Sequence, residues 1–211
     1  MKKKLLAIFL IVCVLAITVS TASLAYFTDT KTVDNVFSVG DVKITLDEAK
    51  VELDAQNHAT AHATERVTTT SQAPQNYGNL YPGISITKDP TITNTGSEKA
   101  YVGAKVVITT GDGITDTSVF VNLLSEYADN ATVTKSLNGN SYEIFIVYNQ
   151  ELATNENVTL FKKLSVPATY GNEDMAKFEG MKITVTAYAV QSVGMTDAAT
   201  ALKAAFPAVF G

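Results

Sequence analysis

The chain has 211 residues, with 16 basic and 21 acidic side chains, two histidines and a single cysteine. That cysteine, Cys13, lies in the apolar N-terminal stretch, so the rest of the chain carries no disulfide and no thiolate, which excludes cysteine-dependent catalysis and thiolate metal centres there. An acidic balance without a Lys/Arg cluster interleaved with aromatics repels phosphates, so nucleic acid is not an expected partner.

Lys2, Lys3 and Lys4 precede thirteen apolar residues, Leu5 to Ile17, and the stretch ends at Ser23-Leu24-Ala25. Basic start, short apolar run and small residues describe a secretory signal peptide, 1–25, with the scissile bond expected between Ala25 and Tyr26. The apolar run is shorter than the roughly 20 residues that span a bilayer as a helix. Cleavage leaves 13 basic residues against 21 acidic ones, a net charge of −8 on a secreted chain of 186 residues. That length buries a sizeable core without disulfides.

Residues 26–39 form an N-terminal arm in which Phe37 and Val39 sit on the parity opposite to Val42, Ile44 and Leu46. A bulge or turn at Gly40-Asp41 must therefore reset which face points inward, and the sandwich domain is expected over 40–211. The segment 54–79 is polar and reads as a long loop, with a short strand near Arg66 to Thr70. Alternation then predicts strands at Ile84–Thr93, Tyr101–Thr110, Ala131–Leu137, Ser141–Tyr148, Val158–Val166 and Met181–Val193. Asn138-Gly139-Asn140 marks a hairpin. Tyr142–Tyr148 is apolar on both faces and is expected to be central in its sheet. Helices are expected at Thr115–Tyr127, at Asn172–Phe178 and at 197–206, the last capped by Thr196 and stopped by Pro207. The sum is an all-β antiparallel sandwich with a few short peripheral helices.

Chemical motifs are sparse. His58 and His62, with Glu65 following, are the metal candidates, because i, i+4 imidazoles on a helix share one face and could share zinc. A zinc peptidase also needs a glutamate directly after the first histidine to take a proton from metal-bound water, and position 59 is alanine. Asp112 between two glycines reads as a solvated turn rather than a calcium loop. No nucleophile elbow, P-loop or dinucleotide fingerprint occurs, and the expectation is a protein without cofactor or active site.

Several ordered blocks resemble the TasA/camelysin family of secreted Gram-positive proteins. They are Ala25-Tyr26-Phe27-Thr28-Asp29, Asn35-Val36-Phe37-Ser38-Val39-Gly40, Tyr81-Pro82-Gly83, Lys88-Asp89-Pro90-Thr91-Ile92, Asn94-Thr95-Gly96-Ser97, Leu160-Phe161-Lys162-Lys163-Leu164 and Ile183-Thr184-Val185-Thr186-Ala187-Tyr188. The resemblance implies processing by a SipW-type signal peptidase, a jelly-roll sandwich, and a place in biofilm-matrix fibres outside the cell. It further implies head-to-tail homopolymers in which the arm of one copy, through Tyr26, Phe27, Val33, Val36 and Phe37, completes the sheet of the next, with an accessory or anchoring matrix protein as a further partner. From the residues alone, Phe27, Val33 and Phe37 could equally pack at home. Two other functions stay open at this stage: a camelysin-like zinc metallopeptidase, and a surface adhesin or glycan-binding module presenting Tyr77 and Tyr81.

Overall fold

Period-two patterning becomes strands almost throughout. The computed structural model describes residues 40–68, 75–111 and 114–211, without the side chains of 61–64. Eleven strands form among them: β1 (Ile44–Leu53), β2 (Ala59–Thr68), β3 (Ser85–Thr87), β4 (Thr91–Asn94), β5 (Ala100–Thr109), β6 (Leu124–Ser125), β7 (Ala131–Asn138), β8 (Ser141–Tyr148), β9 (Asn157–Thr159), β10 (Lys163–Ser165) and β11 (Lys182–Gln191). Three short helices accompany them: α1 (Asn172–Ala176), α2 (Ala198–Ala205) and α3 (Pro207–Phe210). The signal stretch, the Ala25–Tyr26 bond, the arm 26–39 and Asp112 lie outside the described residues. No helix among the described residues is long and apolar enough to cross a membrane.

β4 pairs with β9 and β3 with β10 in one unchanged register, from Thr93↔Asn157 to Ser85↔Ser165. Two backbone bonds bridge the gap: the Leu160 N–H donates to the Pro90 carbonyl at 2.9 Å and the Lys88 N–H to the Lys162 carbonyl at 3.1 Å. The sequence-predicted strands Ile84–Thr93 and Val158–Val166 are thus single ladders, each interrupted once. Pro90 has no N–H to donate, and Leu160 and Phe161, adjacent in the chain, are both fully buried, which breaks strict alternation.

β1 extends this ladder beside β4, and β6 extends it beside β10. The facing sheet runs β11-β5-β8-β7. Stacked face to face, the two layers enclose one core. β2 is an addition on the free side of β1, covering it from Asp47 to Leu53. The molecule is an all-β antiparallel sandwich.

Its core lies between the sheets. Val102, Ala104, Val106 and Ile108 of β5 and Tyr142, Ile144 and Ile146 of β8 face Ile86, Ile92, Leu164 and the fully buried Phe120 and Phe161. The outer face of β8 carries Phe145 and Val147, and α2 and α3 cover it, with Phe210 6.4 Å from Phe145 and 5.5 Å from Tyr188. Gly103 permits that cover, because a Cβ there would come within 2.8 Å of Leu202 and 2.9 Å of the Ile146 carbonyl. β7 and β8 close through Gly139-Asn140, with Gly139 at a φ of 58°.

Three expectations need correction. In place of a helix over Thr115–Tyr127 the chain makes a 3-10 turn, Ser118–Phe120, and then β6. Asp116 accepts from both the amide and the hydroxyl of Ser118, a local bond that competes with helical pairing, and Glu126 at φ 56° ends any helical run. The polar segment 54–79 is not one loop, since β2 occupies ten of its residues. It is an edge strand of Thr and Ala whose described side chains are mostly exposed, so it carries no apolar stripe to read. Finally, Asp197 rather than Thr196 caps α2, accepting from the Thr200 amide at 2.8 Å.

Candidate functional site

The helical spacing that would let the metal candidates share one face does not form. Residues 59–62 pair regularly with 50–53 in β2, so His58 and His62 are joined by extended chain, about 13 Å apart along the strand, not by a helical turn. The His58 Nδ1 lies 3.5 Å from Asp54, and its ring packs on Tyr81 at 4.8 Å. Glu65 accepts from Lys50 at 2.6 Å. No group of three or more His, Cys, Asp or Glu residues placed to hold a metal occurs among the described residues. Tyr81 is exposed, whereas Tyr77 is largely enclosed, so the two tyrosines do not make one aromatic platform.

The feature that does stand out is an open edge. β11 pairs with β5 at all ten positions, and among the described residues no strand pairs with its other side. The inward residues of β5, Val102 to Ile108, are fully buried, but Ile183, Val185 and Ala187, on the same face of β11, are only half-buried. Across from them, β2 pairs with β1 from Asp47↔Thr68 to Leu53↔Ala59, and the segment after Thr68 lies outside the described residues. The space between is a groove of about 340 Å³ lined by Ile44, Leu46, Thr68, Val185 and Ala187. Beside the start of β11, from Gly180 to Thr184, lies a second cavity of about 740 Å³ walled by Leu164, Met175, Phe178 and Ile183.

The floor of the larger cavity is ionic. Lys88, with a side chain only 4% exposed, donates to Glu48 at 2.7 Å and to the Tyr77 hydroxyl at 3.0 Å, and sits 4.8 Å over the Tyr77 ring. Burial first, and the Glu48 charge second, push the Tyr77 phenol far above its ordinary range and keep it neutral. Gln75 completes the floor, donating to Glu48 at 2.8 Å and accepting the Val51 amide at 2.7 Å. Arg66 fastens β2 nearby through Asp47, Asp89 and Thr91. These groups satisfy one another, so their role is to hold the base of the groove in shape.

The chain enters the sandwich at the opposite end. Asp41 and Lys43 continue the line of β1 past Asn94, where the Ser97 amide donates to the Asp41 carbonyl at 3.1 Å and the Thr95 amide to the Lys43 carbonyl at 2.8 Å. Gly40-Asp41, where a reset is expected, runs on beyond the β4–β5 turn, and the Phe37–Val39 side of that reset lies outside the described residues.

Sequence reasoning found β11 but not its exposed edge, and it missed the ionic floor. A signal for the floor existed: Lys88 shares parity with Ile84 and Ile86, and Glu48 shares parity with Ile44 and Leu46. Opposite charges on the inward faces of two strands imply a buried pair. Comparison with known protein families and with curated proteins finds no match for this chain.

Proposed function

We propose that this chain is a secreted structural subunit that forms or decorates extracellular biofilm-matrix fibres, acting by strand complementation between copies and not by catalysis. The observation that carries the reading is the edge of β11, which β5 pairs on one side and no described strand pairs on the other. An edge strand presents unpaired N–H and C=O groups, and an extended segment from another copy satisfies them while its alternate side chains fill the groove. The arm 26–39, with Phe27, Val33, Val36 and Phe37, is the segment proposed. A head-to-tail contact of this kind does not close and yields a filament. The resemblance to the TasA/camelysin family supports the same reading, with a SipW-type peptidase freeing Tyr26 and an accessory matrix protein as anchor.

The test compares purified chains that begin at Tyr26 and at Gly40. Electron microscopy is expected to show fibres from the first and solitary particles from the second. Normal elongation by the shorter chain would refute strand donation.

A further inference from the structure

The cavity beside the start of β11 joins apolar walls to a polar floor. Its volume of about 740 Å³ is that of a site for a small organic molecule. Leu164 and Phe178 are buried in its wall, and Met175, Met181 and Ile183 are half-buried there. Glu179 and Lys182 stand exposed at its rim.

One hydrogen-bond donor at the floor is left over. A lysine ammonium carries three N–H groups and no acceptor. Glu48 takes one from Lys88 at 2.7 Å, the Tyr77 hydroxyl takes a second at 3.0 Å, and nothing among the described residues takes the third. With the Lys88 side chain only 4% exposed, leaving that donor without an acceptor is costly. The neighbouring Gln75 amide is spent, since its nitrogen donates to Glu48 and to the Ala49 carbonyl and its oxygen accepts from the Val51 amide. Charge is balanced as well: Lys88 is paired with Glu48 inside, and Glu179 and Lys182 are of opposite sign at the rim.

We infer that this cavity binds a small neutral molecule with an apolar body and a single carbonyl-type acceptor. The acceptor takes the remaining N–H of Lys88, and the body lies among Met175, Phe178 and Ile183. An anionic head would meet Glu48 beside Lys88, and a cationic head would meet Lys88 beside Glu48, so the paired floor selects against both. A sugar would strand its further hydroxyls against the apolar walls, because the floor offers one donor only. Met175 and Met181, unbranched and polarizable, let the walls follow bodies of different outline. The site goes beyond the assembly reading and does not depend on it, since every residue named belongs to the sandwich itself.

Prodan, a neutral naphthalene with a ketone at one end and a dialkylamino group at the other, tests this, because its emission shifts to the blue on leaving water. It is titrated into dilute protein beginning at Tyr26, with light scattering used to select single copies. One saturable site per chain is expected, with an anilinonaphthalene sulfonate binding about tenfold more weakly. Ile183→Trp fills the cavity and is expected to abolish the blue shift. Met175→Trp fills it from α1 and serves the same purpose if the first variant does not fold. Lys88→Met combined with Glu48→Gln keeps the floor neutral but removes the donor. It is expected to weaken prodan about tenfold and to leave 2-dimethylaminonaphthalene, which lacks the ketone, unchanged. Absence of saturable binding, equal affinity for the sulfonate, or a blue shift that survives both tryptophan variants would overturn the site. Equal weakening of both neutral probes by the Lys88 and Glu48 pair would overturn the role given to Lys88.

Discussion

β5 and β11 are neighbours in one sheet, equal in length and paired residue for residue, yet one is sealed and the other is open. Both strands place apolar residues on the inner face, Ala104, Val106 and Ile108 beside Ala187, Val185 and Ile183, so the difference in burial of that face does not come from those residues. It comes from position: β8 covers the far side of β5, and no described strand covers the far side of β11. Alternation specifies that a strand has an inner face, while the neighbours decide how completely that face is buried.

The sharpest way to break this contrast is truncation on each strand. Ile108→Ala in β5 removes a fully buried side chain and is expected to cost about 3 kcal/mol by urea denaturation of unassembled protein. Glu48→Gln leaves the Lys88 ammonium enclosed beside a neutral partner. Its expected cost is about 2 kcal/mol, less than for a fully buried pair because Glu48 keeps some solvent contact, and adding Lys88→Met should recover most of it. Val185→Thr on the open edge is expected to cost under ~1 kcal/mol in the same assay, yet to slow fibre elongation several-fold. A Val185→Thr penalty matching that of Ile108→Ala would mean that β11 is already covered.

The smallest effect concerns acid. Asp41 is held below its ordinary 3.8 chiefly by the Ser97 amide and then by the Ser97 hydroxyl. Its stabilising contribution is therefore complete above that value and is lost as pH falls through the lower folded value. Exchange of the Ser97 amide should accelerate only in that acidic window, and Asp41→Asn should remove the pH dependence.

What was legible in the sequence follows from the same contrast. Strands with a buried face, such as Tyr101–Thr110 and Ser141–Tyr148, announce themselves through alternation, and the apolar outer face of β8 correctly placed it inside its sheet. β2 was read only at its Arg66–Thr68 end, because a mostly exposed edge strand needs no apolar stripe. Thr115–Tyr127 misled for another reason: Val119, Phe120, Leu123 and Leu124 are all buried, as a helix would require, but a 3-10 turn followed by pairing of Leu124 with Leu164 buries them equally well. The open edge of β11 was not read, since its alternation fits a strand with one solvated face whether or not both of its edges are paired.

Hydrogen exchange on β11, before and after fibre assembly, tests the central claim most directly. The account predicts that the alternate β11 amides not bonded to β5 exchange freely in solitary protein and become protected in fibres, while β5 amides stay protected in both. Equal protection of β11 in solitary and assembled protein would contradict it.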